Sequence, residues 1–86
     1  MLEVTSAEHA GDFRLQLSFT NGESGVVDLE KSLWGPVFEP LKDPRQFRRF
    51  IVSETLHTVS WENGADFAPE YLYAKMVEQG HVLQRP

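Results

Sequence analysis

"FRLQLSFTNGESGVVDL", residues Phe13 to Leu29, is the stretch whose reading decides the fold. Phe13, Leu15, Leu17 and Phe19 alternate with Arg14, Gln16 and Ser18, the period-two pattern of a strand with one buried face. Asn21-Gly22 follows at once. That pair suits a two-residue type I′ turn, which needs positive φ at both central positions. Ser24 to Leu29 then reads as the returning strand, with Gly25 marking a bulge inside it. The expectation is a β-hairpin with strands at about 13–19 and 24–29.

Toward the N-terminus, Leu2 to Glu8 reads as a further strand, broken at "AGD". Toward the C-terminus, Pro36 and Pro40 in "LEKSLWGPVFEPL" exclude a long helix or a central strand. Short helical turns and an irregular crossing are expected there, burying Leu33, Val37, Phe38 and Leu41. Asp43 then stands as an N-cap, Pro44 at the first helical position and Gln46 at the capping-box position, which opens a helix of one or two turns. Phe50 to Ser53 and Leu56 to Trp61 are rich in β-formers and predict a second hairpin over about 50–61, joined by the weaker turn chemistry of Glu54-Thr55. Pro69 to Gln79 predicts a helix with Leu72, Tyr73, Met76 and Val77 along one face and Gly80 as its stop. The sum is α+β: one domain over 1–86, a small antiparallel sheet of four to five strands built from two hairpins, covered by a C-terminal helix, with short helical turns in the middle.

Composition narrows the function classes. The chain has 86 residues, 41% hydrophobic and 24% charged, an ordinary globular make-up with material for one modest core. It has no cysteine, which excludes disulfide scaffolds, thiolate metal sites and cysteine nucleophiles. No leader-like or membrane-length apolar stretch is evident, so an unprocessed, soluble, cytoplasmic protein is expected. The net charge of -5 repels phosphate backbones at long range.

Catalytic and metal-binding motifs are missing. His9, His57 and His81 do not share the i, i+3 or i, i+4 spacing that aims two ligands at one metal from a helix. There is no Gly-x-Ser-x-Gly elbow, and the glycines are scattered rather than bunched before a helix. The expectation is therefore a non-enzymatic protein without cofactor or metal. An enzyme or ligand binder remains open only through residues close in space, with Asp66 and His57 around one pocket as its form.

Two surfaces stand out as candidates. Lys42, Arg45, Arg48 and Arg49 hold four of the eight positive charges, and on a helix Arg45 and Arg49 would share a face roughly opposite Phe47. That patch reads either as a phosphate or acidic-partner site or as a solvated face balancing nearby acids. Among the aromatics, Trp61 is expected in the core with its N–H on a partner. Tyr71 and Tyr73, two apart on a helix, point to nearly opposite sides, with Tyr73 assigned inward and Tyr71 left for contact.

A second Asn-Gly pair lies in "SWENGADFAPEYLY", residues 60–73. Pro69 arrives too soon after Gly64 for a full returning strand, so Asn63-Gly64 reads as a strand-to-helix joint. Asp66 is placed to curl over the exposed amides at the helix start, or to cap directly should a turn begin at Phe67. Pro69 disfavours helical geometry at Ala68 and so favours the first arrangement. Asn63 and Asp66 serve alternatively as a partner surface, since polar loop tips carry both jobs.

Three segments carry a family resemblance: "LQLSFTNGESGVVDL" at 15–29, "GPVFEPLKDPRQF" at 35–47 and "VSWENGADFAPEYLY" at 59–73. Together they resemble the bacterial family called domain of unknown function 2442, the last through its W-x-N-G-A-D signature and following "LY". The chain departs from that pattern at Glu62, where the family often has Pro. The resemblance implies a small α+β protein without an established activity, often encoded beside a member of domain of unknown function 4160 in a toxin and antitoxin-like arrangement. Some related chains carry the domain ahead of a helix-turn-helix, which these 86 residues do not contain. The functional expectation is an antitoxin-like partner of a small basic protein, with a homo-oligomer also open. The alternative is a nucleic-acid-associated adapter working through the basic cluster at 42–49.

Overall fold

The computed structural model describes residues 1–80, so His81 lies outside the described residues. Five strands form in chain order, β1 (Val4–His9), β2 (Arg14–Phe19), β3 (Ser24–Asp28), β4 (Ile51–Val52) and β5 (Val59–Ser60), with helices α1 (Pro44–Phe47) and α2 (Pro69–Glu78). Two 3₁₀ turns, Glu30–Ser32 and Glu39–Lys42, fill the middle segment. The architecture is α+β. The strands divide into an antiparallel sheet of order β1-β2-β3 and a separate β4-β5 pair. A backbone bond from Val4 N–H to the His57 carbonyl, 3.0 Å, connects the two.

The alternation in β2 sets the register. Leu17 sits between Ala7 and Gly25, and Leu15 between His9 and Val27. Leu15, Leu17, Phe19 and Val27 are therefore buried on one face, whereas Arg14 and Gln16 look to solvent. The irregularity in the sheet falls between Val4 and Ser6, while Gly25 pairs in register with Leu17 and is buried, so the expected bulge at Gly25 is absent.

The Asn21-Gly22 hairpin forms with a different turn from the two-residue type I′ expected. Gly22 N–H donates to the Phe19 carbonyl at 3.1 Å, Phe19 N–H donates to the Glu23 carbonyl at 2.9 Å, and Gly22 has φ +85°. Asn21 is not left-handed. This is the three-residue loop in which a type I turn is followed by a glycine bulge. The Asn21 carboxamide oxygen supports it by accepting from Glu23 N–H at 3.0 Å.

Helix α2 supplies Leu72 and Met76 to the core, with Val77 on its exposed side instead of on the expected apolar face. Two side-chain ties align α2 with β3. The Tyr73 hydroxyl donates to Glu23 Oε1 at 2.9 Å, and this bond to a carboxylate holds the phenol above the ordinary tyrosine range. At the far end Asp28 N–H donates to Gln79 Oε1 at 2.8 Å while Gln79 Nε2 donates back to the Asp28 carbonyl at 2.9 Å, so one amide side chain takes the place of a neighbouring strand. Gly80, φ +71°, closes the helix as expected. No helix among the described residues is long and apolar enough to cross a membrane.

The second hairpin is shorter than its sequence suggests. The Ser53 hydroxyl accepts from Thr55 N–H and Leu56 N–H, and the chain folds back through His57 at φ +55°. Leu56 and His57 thus belong to an exposed turn, not to a strand. In the middle segment Leu33 and Leu41 are buried as expected and Phe38 is half-buried, but Val37 is exposed.

Gly64, like Gly22, is left-handed, at φ +93°, with nothing within 4 Å of where a Cβ would sit. Gly64→Ala is therefore expected to cost about 1–2 kcal/mol through backbone conformation alone. Chemical denaturation checks it, an unchanged midpoint being the contrary result.

Candidate functional site

The loop at Asn63-Gly64 repeats the geometry of the first Asn-Gly loop. Gly64 N–H donates to the Trp61 carbonyl at 3.0 Å and Trp61 N–H to the Ala65 carbonyl at 2.8 Å. Asn63 Oδ1 accepts from Ala65 N–H at 3.1 Å, the counterpart of Asn21 on Glu23. A returning arm does follow. Asp66 bridges Ser60 in antiparallel sense, Phe67 N–H donates to the Val59 carbonyl at 3.3 Å, and Thr58 Oγ1 donates to the Phe67 carbonyl. The expected joint is thus a miniature hairpin that delivers Ala68 to the start of α2.

This placement corrects the role expected of Asp66. Ala68 is the N-cap of α2 and receives no side-chain cap, because the residue at 66 is held in the bridge to Ser60 with its side chain exposed. Pro69 at the first helical position has no N–H to satisfy, which reduces the need for a cap. At α1 the expected cap is present: Asp43 Oδ1 accepts from Arg45 N–H at 3.0 Å, and that backbone bond holds the Asp43 carboxyl below its usual range.

Asn63 has a second partner, since its Nδ2 donates to the Val37 carbonyl at 2.9 Å. The loop is thereby tied to the middle segment, and aromatic rings close the space behind it. Trp61 is buried and donates Nε1–H to the Phe47 carbonyl at 2.9 Å, the core role expected of it. Phe67 stacks on Phe38 at 4.7 Å and on Tyr71 at 5.4 Å between ring centroids, and meets Trp61 edge-on at 5.9 Å.

Three large apolar side chains in this part of the chain are exposed. Trp34 is 72% exposed, Val37 45% and Tyr71 38%. Tyr71 lies outward and Tyr73 half-buried, as expected, and the Tyr71 hydroxyl shares a hydrogen bond of 2.7 Å with Ser32 Oγ, two residues before Trp34. Lys75 Nζ lies 5.8 Å from the Tyr71 ring centroid. Of the expected partner residues, Tyr71 is one of these three, Asp66 adjoins Phe67 in sequence, and Asn63 bonds to the Val37 carbonyl.

The basic cluster is not one helical face, because α1 ends at Phe47 and Arg48 and Arg49 lie beyond it. Phe47 points inward as expected, but Lys42 pairs with Glu39 at 2.9 Å and Arg45 with Asp43 at 3.6 Å. Arg48 Nε approaches the Pro44 carbonyl at 3.5 Å, leaving Arg48 and Arg49 without a carboxylate partner among the described residues. His57 lines a different cleft, beside Glu3, Val52 and Glu54, which Asp66 does not reach, so the two do not form the shared pocket that a ligand-binding reading requires. Among the described residues no group of three or more His, Asp or Glu is arranged to hold a metal ion.

The model of the family described as "Protein of unknown function (DUF2442)" matches residues 4–78. The crystal structure of NE0471 from Nitrosomonas europaea ATCC 19718, described as a "Putative DNA Binding Protein", is similar with a TM-score of 0.81 and 28% sequence identity. That similarity covers 93% of this chain and 52% of NE0471, so the chain spans about half the length of that protein. No curated protein matches.

The two loop side chains separate cleanly by mutation. Asn63→Ala removes the bonds to Ala65 and Val37 and is expected to cost about 1–2 kcal/mol, whereas Asp66→Ala is expected to stay within about 0.5 kcal/mol of the parent. Equilibrium denaturation of both variants checks the pair, and the reverse order would restore Asp66 as the structural residue.

Proposed function

The chain belongs to the DUF2442 family, and from its exposed apolar side chains we propose that it is a non-enzymatic protein-interaction module, an antitoxin-like partner that grips a small basic protein. The observation that carries this reading is a set of exposed large apolar side chains, Trp34 at 72%, Val37 at 45% and Tyr71 at 38%. Scattered single apolar residues on a surface need no explanation, but an exposed tryptophan and a tyrosine that stacks on Phe67 have the composition of an interface centre.

Charge supports a basic partner. Glu30 opens the 3₁₀ turn that carries Ser32, and Asp66 and Glu70 adjoin Phe67 and Tyr71 in sequence. All three are exposed and have no salt-bridge partner among the described residues. Lys31 and Lys75 share a cleft with Glu30, but the three carboxylates without a salt-bridge partner among the described residues, with the net charge of -5, favour the approach of a cationic partner. The partner that the family resemblance suggests is a small protein of the domain of unknown function 4160 kind.

A second reading, the nucleic-acid-associated adapter, draws support from the description of NE0471 and from Arg48 and Arg49, which have no carboxylate partner among the described residues. Two phosphate contacts give a salt slope of only about -1.8 for duplex DNA. Titration of labelled DNA at low salt tests that reading, and no binding there removes it.

Co-expression with a small basic protein of the domain of unknown function 4160 kind tests the leading reading. A complex is expected to co-purify with the parent chain and to be lost with Trp34→Ala, whose melting temperature stays at the parent value because the side chain packs little. Failure to form a complex, or a complex indifferent to both Trp34→Ala and Tyr71→Ala, would count against it.

A further inference from the structure

Beyond the exposed apolar side chains, a separate recess borders Asn63. It is a cleft of about 280 Å³ between the middle segment, α1 and the Asn63 loop. Pro40, Leu41 and Trp61 contribute apolar lining, Gln46 and Arg49 stand on the α1 side, and Glu62 stands on the loop side. The volume lies at the small end of ligand sites, enough for one residue-sized group and too small for a nucleotide or flavin.

The wall chemistry is specific. Arg49 is held in place through its backbone, whose N–H donates to the Gln46 carbonyl at 3.0 Å, while its guanidinium has no carboxylate partner among the described residues. Its neighbours Lys42 and Arg45 are both paired. A free guanidinium offers a planar fork that matches a carboxylate, and the Gln46 amide adds a donor on the same side. Glu62 presents an acceptor from the other side.

We propose that this cleft binds the carboxylate end of an α-amino acid with an apolar side chain, either free or at the C-terminus of a peptide. The carboxylate meets Arg49 and Gln46, the α-nitrogen donates to Glu62, and the side chain lies on Pro40, Leu41 and the edge of Trp61. A free amino acid brings an ammonium group to Glu62, whereas a peptide end brings a neutral N–H, and this difference separates the two sources.

The test is nuclear magnetic resonance titration of the full chain with leucine, N-acetyl-leucine and N-acetyl-leucinamide. The two tryptophan indole N–H signals report separately, Trp61 from the cleft and Trp34 as the internal control. The expected result is a saturable shift of Trp61 alone with a carboxylate-bearing probe, binding at least about tenfold weaker for the amide, and loss of the shift in Arg49→Gln but not in Arg45→Gln. Stronger binding of leucine assigns the site to a free amino acid, and stronger binding of N-acetyl-leucine to a peptide end. The proposal is overturned if the amide shifts Trp61 as strongly as the acids do, if the shift survives in Arg49→Gln, or if no probe moves Trp61 at millimolar concentration. Dispersed backbone N–H signals of β2 and β3 in each variant confirm that the chain is folded.

Discussion

The carboxamide of Asn63 is the constraint on which the outer half of the molecule depends. Its oxygen fixes the glycine-bulge loop through Ala65 N–H, and its nitrogen reaches the Val37 carbonyl across 26 positions of sequence. The loop would form on local chemistry alone, as the equivalent loop at Asn21 does. The bond to Val37 is what differs, since it turns a local turn into a tertiary clasp. The clasp joins the backbone of the exposed Val37 to the loop that borders the cleft beside Arg49. One side chain thus holds the Val37 backbone and also borders the cleft.

Behind the clasp, aromatic rings do the packing that a short chain cannot obtain from long elements. Phe13, Phe47, Trp61, Phe67 and Phe38 form a continuous run from the sheet to the middle segment, with neighbouring centroids 4.7 to 5.9 Å apart. Each such pair contributes about 0.5–1.5 kcal/mol beyond simple area burial. The run joins β4-β5 and the irregular middle to the main sheet without requiring strands to pair across the gap. The separation into three strands and two is tolerated for that reason.

Much of this was legible in the chain. The alternation in β2, the Asn21-Gly22 hairpin, the Asp43-Pro44 start of α1, the α2 helix and the buried Trp61 follow from local chemistry that tertiary contacts did not override. The errors share a different origin. Asn-Gly satisfies two loop types, one with two residues and one with three, and composition does not distinguish them. Asp66 looked like a cap because its backbone pairing with Ser60 depends on register with a strand of two residues, too short to show a period. Val37 and Leu56 are apolar in segments without periodicity, so their exposure depends on how the chain crosses the core and not on any repeat. The basic cluster looked coherent in sequence, but Glu39 and Asp43 neutralise half of it and the helix ends before it is complete. The Arg49 cleft, assembled from three separated segments, had no linear signal.

Hydrogen exchange of the parent chain and Asn63→Ala tests most directly whether the Asn63 clasp organises the outer half. Phe38, Glu39 and Leu41 N–H groups are bonded within the middle segment and report on its order, while those of β2 and β3 report on the main sheet. Loss of the clasp should accelerate exchange at Phe38, Glu39 and Leu41 by more than it does in β2 and β3. Equal acceleration everywhere would mean that Asn63 contributes only global stability, and unchanged exchange in the middle segment would contradict the clasp outright.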